Sequence, residues 1–180
     1  MNKSSNYFSV YRISLLAIMT ALTAVGRLAF ALPFMPNIQP MTALLIIIAL
    51  NIGIVDSLIV SLLSILLTNL FLGMGPWTVL QIISFALVIL LTGLIKYFYR
   101  SDSFIHRLIF AVWAGLMGFA YGFVISYLNV HLYGMSNFWV YYLNGVPFDL
   151  LHAVGNVGFF IILEPIIVPI IKKKFEKILH

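Results

Sequence analysis

Residues 41–72 read MTALLIIIALNIGIVDSLIVSLLSILLTNLFL, with Asp56 as the sole ionisable side chain. As one helix this stretch would run about 48 Å at ~1.5 Å per residue, far beyond a hydrocarbon core of ~30 Å. As two helices it would break near Asn51-Ile-Gly53-Ile-Val-Asp56. The residues themselves leave both readings open. Charge elsewhere in the chain decides between them.

Four further apolar segments are long enough to cross a bilayer alone: Ile13–Leu32, Trp77–Tyr97, Phe104–Leu128 and Phe148–Ile171. Lys and Arg collect in three places: Lys3/Arg12, Lys96/Arg100/Arg107 and Lys172–Lys174/Lys177. Positive loops stay cytoplasmic, so an even number of spans must separate each cluster from the next. Only two helices in residues 41–72 satisfy that count. The expectation is an all-α integral membrane protein, one domain over residues 1–180, with six spans and both termini cytoplasmic. Two helices of about sixteen residues reach only about 24 Å each, so they must thin the bilayer or lean on neighbours.

Composition agrees. Of the 180 residues 63% are hydrophobic and 8% charged, more apolar surface than a soluble domain of this size can hide. Lys3 and Arg12 precede an apolar run, as in a signal peptide. The run has no clear cleavage site and reads as a retained first span. With no cysteine, disulfides and thiolate metal sites are excluded. The net charge of +5 is clustered at span ends, which marks topology rather than nucleic-acid binding.

This topology places three loops outside, Pro33–Pro40, Gly73–Pro76 and Asn129–Pro147, none with a Lys, Arg, Asp or Glu. In 71–81, FLGMGPWTVLQ, Gly73 and Gly75 allow a tight reversal, Pro76 suits a first helical position and Trp77 starts a span at the interface. Trp77 serves either as an ordinary interfacial anchor or as part of a lid over a pocket. The long third loop and its flanks hold Tyr127, His131, Tyr133, Trp139, Tyr141 and Tyr142. Neutral amides Asn37, Gln39, Asn69, Gln81, Asn144 and Asn156 accompany these rings.

Charges within spans need reasons. Arg27, late in the first span, either snorkels to headgroups or meets an anionic group of a ligand. Asp149, His152 and Asn156 stand at i, i+3 and i+7, on one helix face turned toward a neighbour or a cavity. Asn69, Trp77 and Gln81 are placed to meet them across the outer half of the bundle. Glu164, before Pro165, suits an interhelical hydrogen bond or ion pair. His106 and His180 fall on the cytoplasmic side and His131 in a loop. No metal set, nucleophile–base pair or nucleotide loop is present, so an enzyme is not expected, nor any metal or cofactor. Ala17, Ala21 and Ala24 form a small-residue stripe that lets another helix approach closely.

Taken together, Arg27, the loop PFMPNIQP (33–40), the run TALLIIIALNIG (42–53) and TNLFLGMGPWTVLQ (68–81) resemble the substrate-binding S component of energy-coupling-factor vitamin transporters. The resemblance covers essentially the whole chain. It implies six helices in a prokaryotic cell membrane, a pocket near the outer face closed by the outer loops, and no catalysis in this chain. It further implies a transmembrane coupling subunit and two cytoplasmic ATPases as partners, with Ala17 and Ala21 matching the stripe that meets the coupling subunit. Substrate-binding residues on this reading are Arg27, Asn37, Gln39, Asn69, Trp77, Gln81, Trp139, Tyr142, Asp149, His152 and Asn156. The large aromatic area and amide set look most similar to S components for cobalamin, with riboflavin and pantothenate as alternatives. The rival reading is a membrane assembly subunit that binds no vitamin.

Overall fold

The computed structural model describes residues 10–30 and 37–179, with side chains through Lys173. Lys3, residues 33–36 of the Pro33–Pro40 loop, His180 and the side chains of Lys174 and Lys177 lie outside the described residues. The described chain is all helical: α1 (Val10–Ala29), α2 (Met41–Asn51), α3 (Ile54–Leu72), α4 (Trp77–Ile95), α5 (Phe104–Leu132) and α6 (Phe138–Leu179), with one 3-10 turn at Lys96–Phe98. Five of the helices are long and apolar enough to cross a membrane, and α2 is not.

The break in residues 41–72 falls at the expected place, but the halves are unequal. α2 has eleven residues and α3 nineteen, not sixteen apiece. At ~1.5 Å per residue α2 spans only about 16 Å. Every residue from Met41 to Leu50 is buried, and α2 packs against all five other helices. A helix apolar on all sides has no polar face to show water, so it takes the centre of the bundle. The break itself is built from local chemistry. Ile48 O accepts from both Ile52 N and Gly53 N, while Asn51 Nδ2 donates to Ile47 O. Gly53 is extended, and a Cβ there would lie 2.7 Å from Asp56 Oδ2, so glycine makes room for that carboxylate.

α3 turns polar residues inward and apolar ones outward. Ser57, Ser61, Ser64 and Thr68 recur at helical spacing and are buried, while Leu62, Leu63, Leu67 and Leu70 are exposed. Ser57 Oγ donates to Leu45 O, and Ser64 Oγ to Thr20 O, tying α3 to α2 and α1. Small hydroxyl residues let helices approach closely where lipid supplies no hydrophobic drive.

α5 and α6 form a long hairpin, and here the expected loop fails. Only Tyr133–Asn137 is non-helical, with Gly134 left-handed at φ 64°; Asn129–Leu132 and Phe138–Pro147 are helix. Pro147, Pro165 and Pro169 all lie inside α6. A proline removes one backbone donor and does not oblige the chain to leave a helix that neighbours support. His131 accordingly sits in the last turn of α5, its Nδ1 against Tyr127 O. The hairpin is packed through a groove of small residues on α5, namely Ala111, Ala114, Gly115, Gly118 and Gly122, all buried. A Cβ on Gly118 would lie 3.0 Å from the Ala153 backbone of α6. That Gly-x-x-x-Gly signal in 118–122 was available in the sequence and outweighs the alanine stripe of α1 as a packing seam.

Two buried carboxylates close the end that carries the basic residues. Arg12 Nε and Nη2 bind Asp56 at 3.0 and 2.6 Å, joining α1 to the start of α3. Glu164 accepts from Arg107 Nε at 2.5 Å and from Tyr99 Oη at 2.6 Å, the interhelical role its position implies. Burial, reinforced by the hydrogen bond to Glu164, pushes the Tyr99 phenol above its ordinary range, so Tyr99 stays a neutral donor.

Candidate binding site

The opposite end carries the Gly73–Pro76 and Tyr133–Asn137 turns and holds a cavity of about 360 Å³ between α5 and α6. Ile125, Ser126 and Asn129 line it from α5, and Tyr141, Asn144, Gly145, Phe148 and Asp149 from α6; Asn37 completes the rim. The α6 residues recur every three or four positions, so one face of that helix forms the wall. Asn37 adopts a left-handed backbone at φ 68°, a conformation asparagine tolerates better than most residues.

Asp149 is the one ionised side chain in the lining. Its side chain is buried, and Oδ2 has no hydrogen-bond partner among the described residues. Gly122 packs directly on the carboxylate, where any Cβ would collide with Oδ1. Behind it lies a polar layer drawn from several helices. Tyr121 of α5 is within electrostatic reach of both Asp149 and Arg27. His152 is buried, with Nε2 2.8 Å from Thr42 Oγ1 of α2 and its ring edge-on to Tyr121 at 5.3 Å. Arg27 is buried and donates from Nη1 to Thr68 Oγ1 at 2.9 Å, with no carboxylate at ion-pair distance among the described residues. Snorkelling would leave its head exposed, and it is not. A cation and a carboxylate, each buried without a counter-ion, are costly in a folded interior unless something else compensates them.

Of the residues expected at a site, Asn37 and Asp149 line the cavity. Asn156 and His152 continue the Asp149 face below it; Asn156 Nδ2 donates to Ala114 O, and its Oδ1 has no partner. The remainder lie elsewhere. Asn69 Nδ2 donates to Thr78 Oγ1 and Gln81 Oε1, which closes the α3–α4 turn rather than meeting the Asp149 face. Trp77 lies over Gly75 in that same turn. Gln39 precedes α2 and is half-buried, away from the lining. Tyr142 stacks on Phe138 at 5.7 Å and Trp139 is largely exposed beside it, so both rings border the hairpin tip. Ser126, Phe148 and Gly122 escaped the sequence reading; Gly122 was marked by its spacing from Gly118. On α1, Ala17 and Ala21 are exposed, whereas Ala24 is buried in the bundle and does not belong to the exposed stripe.

A family model for the substrate-specific component of ECF transporters matches residues 12–164, most of the chain. The chain belongs to that family. Membership makes this S component a multi-pass membrane subunit of a transporter rather than an enzyme, one that serves substrate selection. No curated protein and no solved structure matches it. The family assignment therefore says which machine the S component serves, and the choice of substrate rests on the cavity.

Proposed function

We propose that this S component captures a vitamin at the Asp149 cavity from outside a prokaryotic cell and delivers it inward with a transmembrane coupling subunit and two cytoplasmic ATPases. In this reading residues 1–180 form one membrane domain with six helical crossings, both termini inside and the cavity outside. The short α2 crosses only with support from its neighbours. The observation that carries the capture is a cavity walled by amides and rings whose lining includes a buried carboxylate, with Oδ2 unpartnered among the described residues. Orientation rests on charge: Arg12, Lys96, Arg100, Arg107, Lys172 and Lys173 gather at one end, and both turns at the other are uncharged.

Single cysteines introduced at Met74 and Ser136 are expected to label from outside, and one at Ser101 is not. Labelling of Ser101→Cys by an impermeant reagent would reverse the orientation.

Volume narrows the substrate. About 360 Å³ lies at the small end of the ~300–1,000 Å³ typical of ligand pockets. A compact vitamin matches that volume more closely than a corrin does. Cobalamin stands as the second reading, favoured by the Phe123, Phe138, Trp139 and Tyr142 rings clustered beside the cavity. Purification from cells fed a vitamin mixture, with absorbance and mass spectrometry of the retained compound, separates the two. A corrin spectrum selects cobalamin. Absence of any retained compound, with no saturable binding of any vitamin, would leave a non-binding assembly subunit.

A further inference from the structure

We infer that the molecule captured in this cavity carries a positively charged nitrogen that pairs with Asp149. The inference rests on the capture reading above and adds the ligand's charge to it.

Asp149 lines the cavity yet is only 6% exposed, and its Oδ2 accepts no hydrogen bond. No Lys, Arg or His lies within ion-pair distance of it among the described residues. Arg27 donates to Thr68 and His152 meets Thr42, and neither belongs to the cavity lining. Gly122 holds the carboxylate in place, because α5 comes close enough there to exclude a Cβ. The lining contributes no cation of its own. It offers the amides of Asn37, Asn129 and Asn144, the Ser126 hydroxyl, and the Tyr141 and Phe148 rings. Asn144 Nδ2 donates to Val140 O, which leaves its carbonyl oxygen as an acceptor.

The three charge classes of ligand then separate. An anion would meet a like charge at close range with no cation in the lining to offset it. A neutral ligand offers the buried carboxylate hydrogen bonds at most and no counter-charge. A cation supplies the missing counter-charge, and the aromatic walls favour it further through their ring faces.

The test combines ligand analysis with Asp149→Asn, which keeps the side-chain shape and removes the charge. The compound retained by the wild-type protein is expected to bear a positively charged nitrogen at neutral pH. D149N should weaken its binding by at least about thirtyfold, as for one partner removed from a buried charged pair. A neutral or anionic compound that D149N binds equally well overturns the inference and leaves capture intact. Where nothing is retained, benzylammonium, benzyl alcohol and phenylacetate are titrated into the wild-type protein by saturation-transfer NMR. Preference for the ammonium supports the inference, and equal or reversed preference overturns it. Should D149N fail to fold, the wild-type ligand and probe series decides alone. If the wild-type protein binds no vitamin and no probe, capture fails, and the charge assignment fails with it.

Discussion

Arg12→Met is expected to destabilise the protein by about 3 kcal/mol, at the lower end of the range for breaking a buried ion pair. Asp56 is fully buried and held by two guanidinium nitrogens, and the Arg12 side chain is 19% exposed. Removal of Arg12 leaves a carboxylate inside the bundle with only the more distant influence of groups such as Lys96. The cost is mainly that stranded charge rather than the lost attraction. The double variant Arg12→Met/Asp56→Leu, which removes both charges, should therefore recover most of the loss. Thermal unfolding in detergent measures both. Equal destabilisation of the single and double variants would show that packing, not charge, holds this end together.

Ala17→Trp/Ala21→Trp is expected to cut uptake by the complete transporter about tenfold or more while the isolated subunit keeps its ligand affinity, because bulky residues block close helix approach. Both alanines are exposed, and Ile13, Ile18, Leu22 and Val25 around them are exposed as well. The face is thus available to lipid or to a partner helix. Ala24 is excluded from the pair because it is buried within the bundle. Transport assays beside equilibrium binding on the purified subunit check the prediction. Loss of affinity would mean that the stripe supports the fold of the binding site instead.

The parts of the fold written in long-range apolar pattern and in charge were legible in the sequence. The break at Asn51–Gly53 and the role of Glu164 followed from charge spacing and from the cost of burying a carboxylate. Unequal division of residues 41–72 was not legible, because periodicity is silent in a run apolar on every side. Position in the bundle, rather than composition, makes Met41–Leu50 the core. The third loop is shorter than expected, because α6 begins at Phe138 and carries Pro147 within it. Site residues divided along similar lines. Asp149 announced itself as a charge in a span, and Asn37 as an amide near a span start. Asn69 and Gln81 were equally polar but satisfy each other, a pairing visible only once α3 and α4 are placed side by side. Ser126 and Phe148 carried no signal at all, since a serine or phenylalanine in an apolar helix is ordinary.

The burial of α2 has a consequence for biogenesis. With eleven residues, none of Met41–Leu50 facing lipid, α2 is too short for the insertion machinery to release as a resident span. It can settle only when α3, three residues later in the chain, enters beside it as the second arm of a hairpin. In the proposed topology, an enzymatic reporter fused after Gly53 should report the outside, although that junction belongs inside in the complete chain. A reporter that already reads inside at Gly53 would show that α2 enters unaided. The centre of the molecule is thus occupied only together with a longer neighbour, never ahead of it.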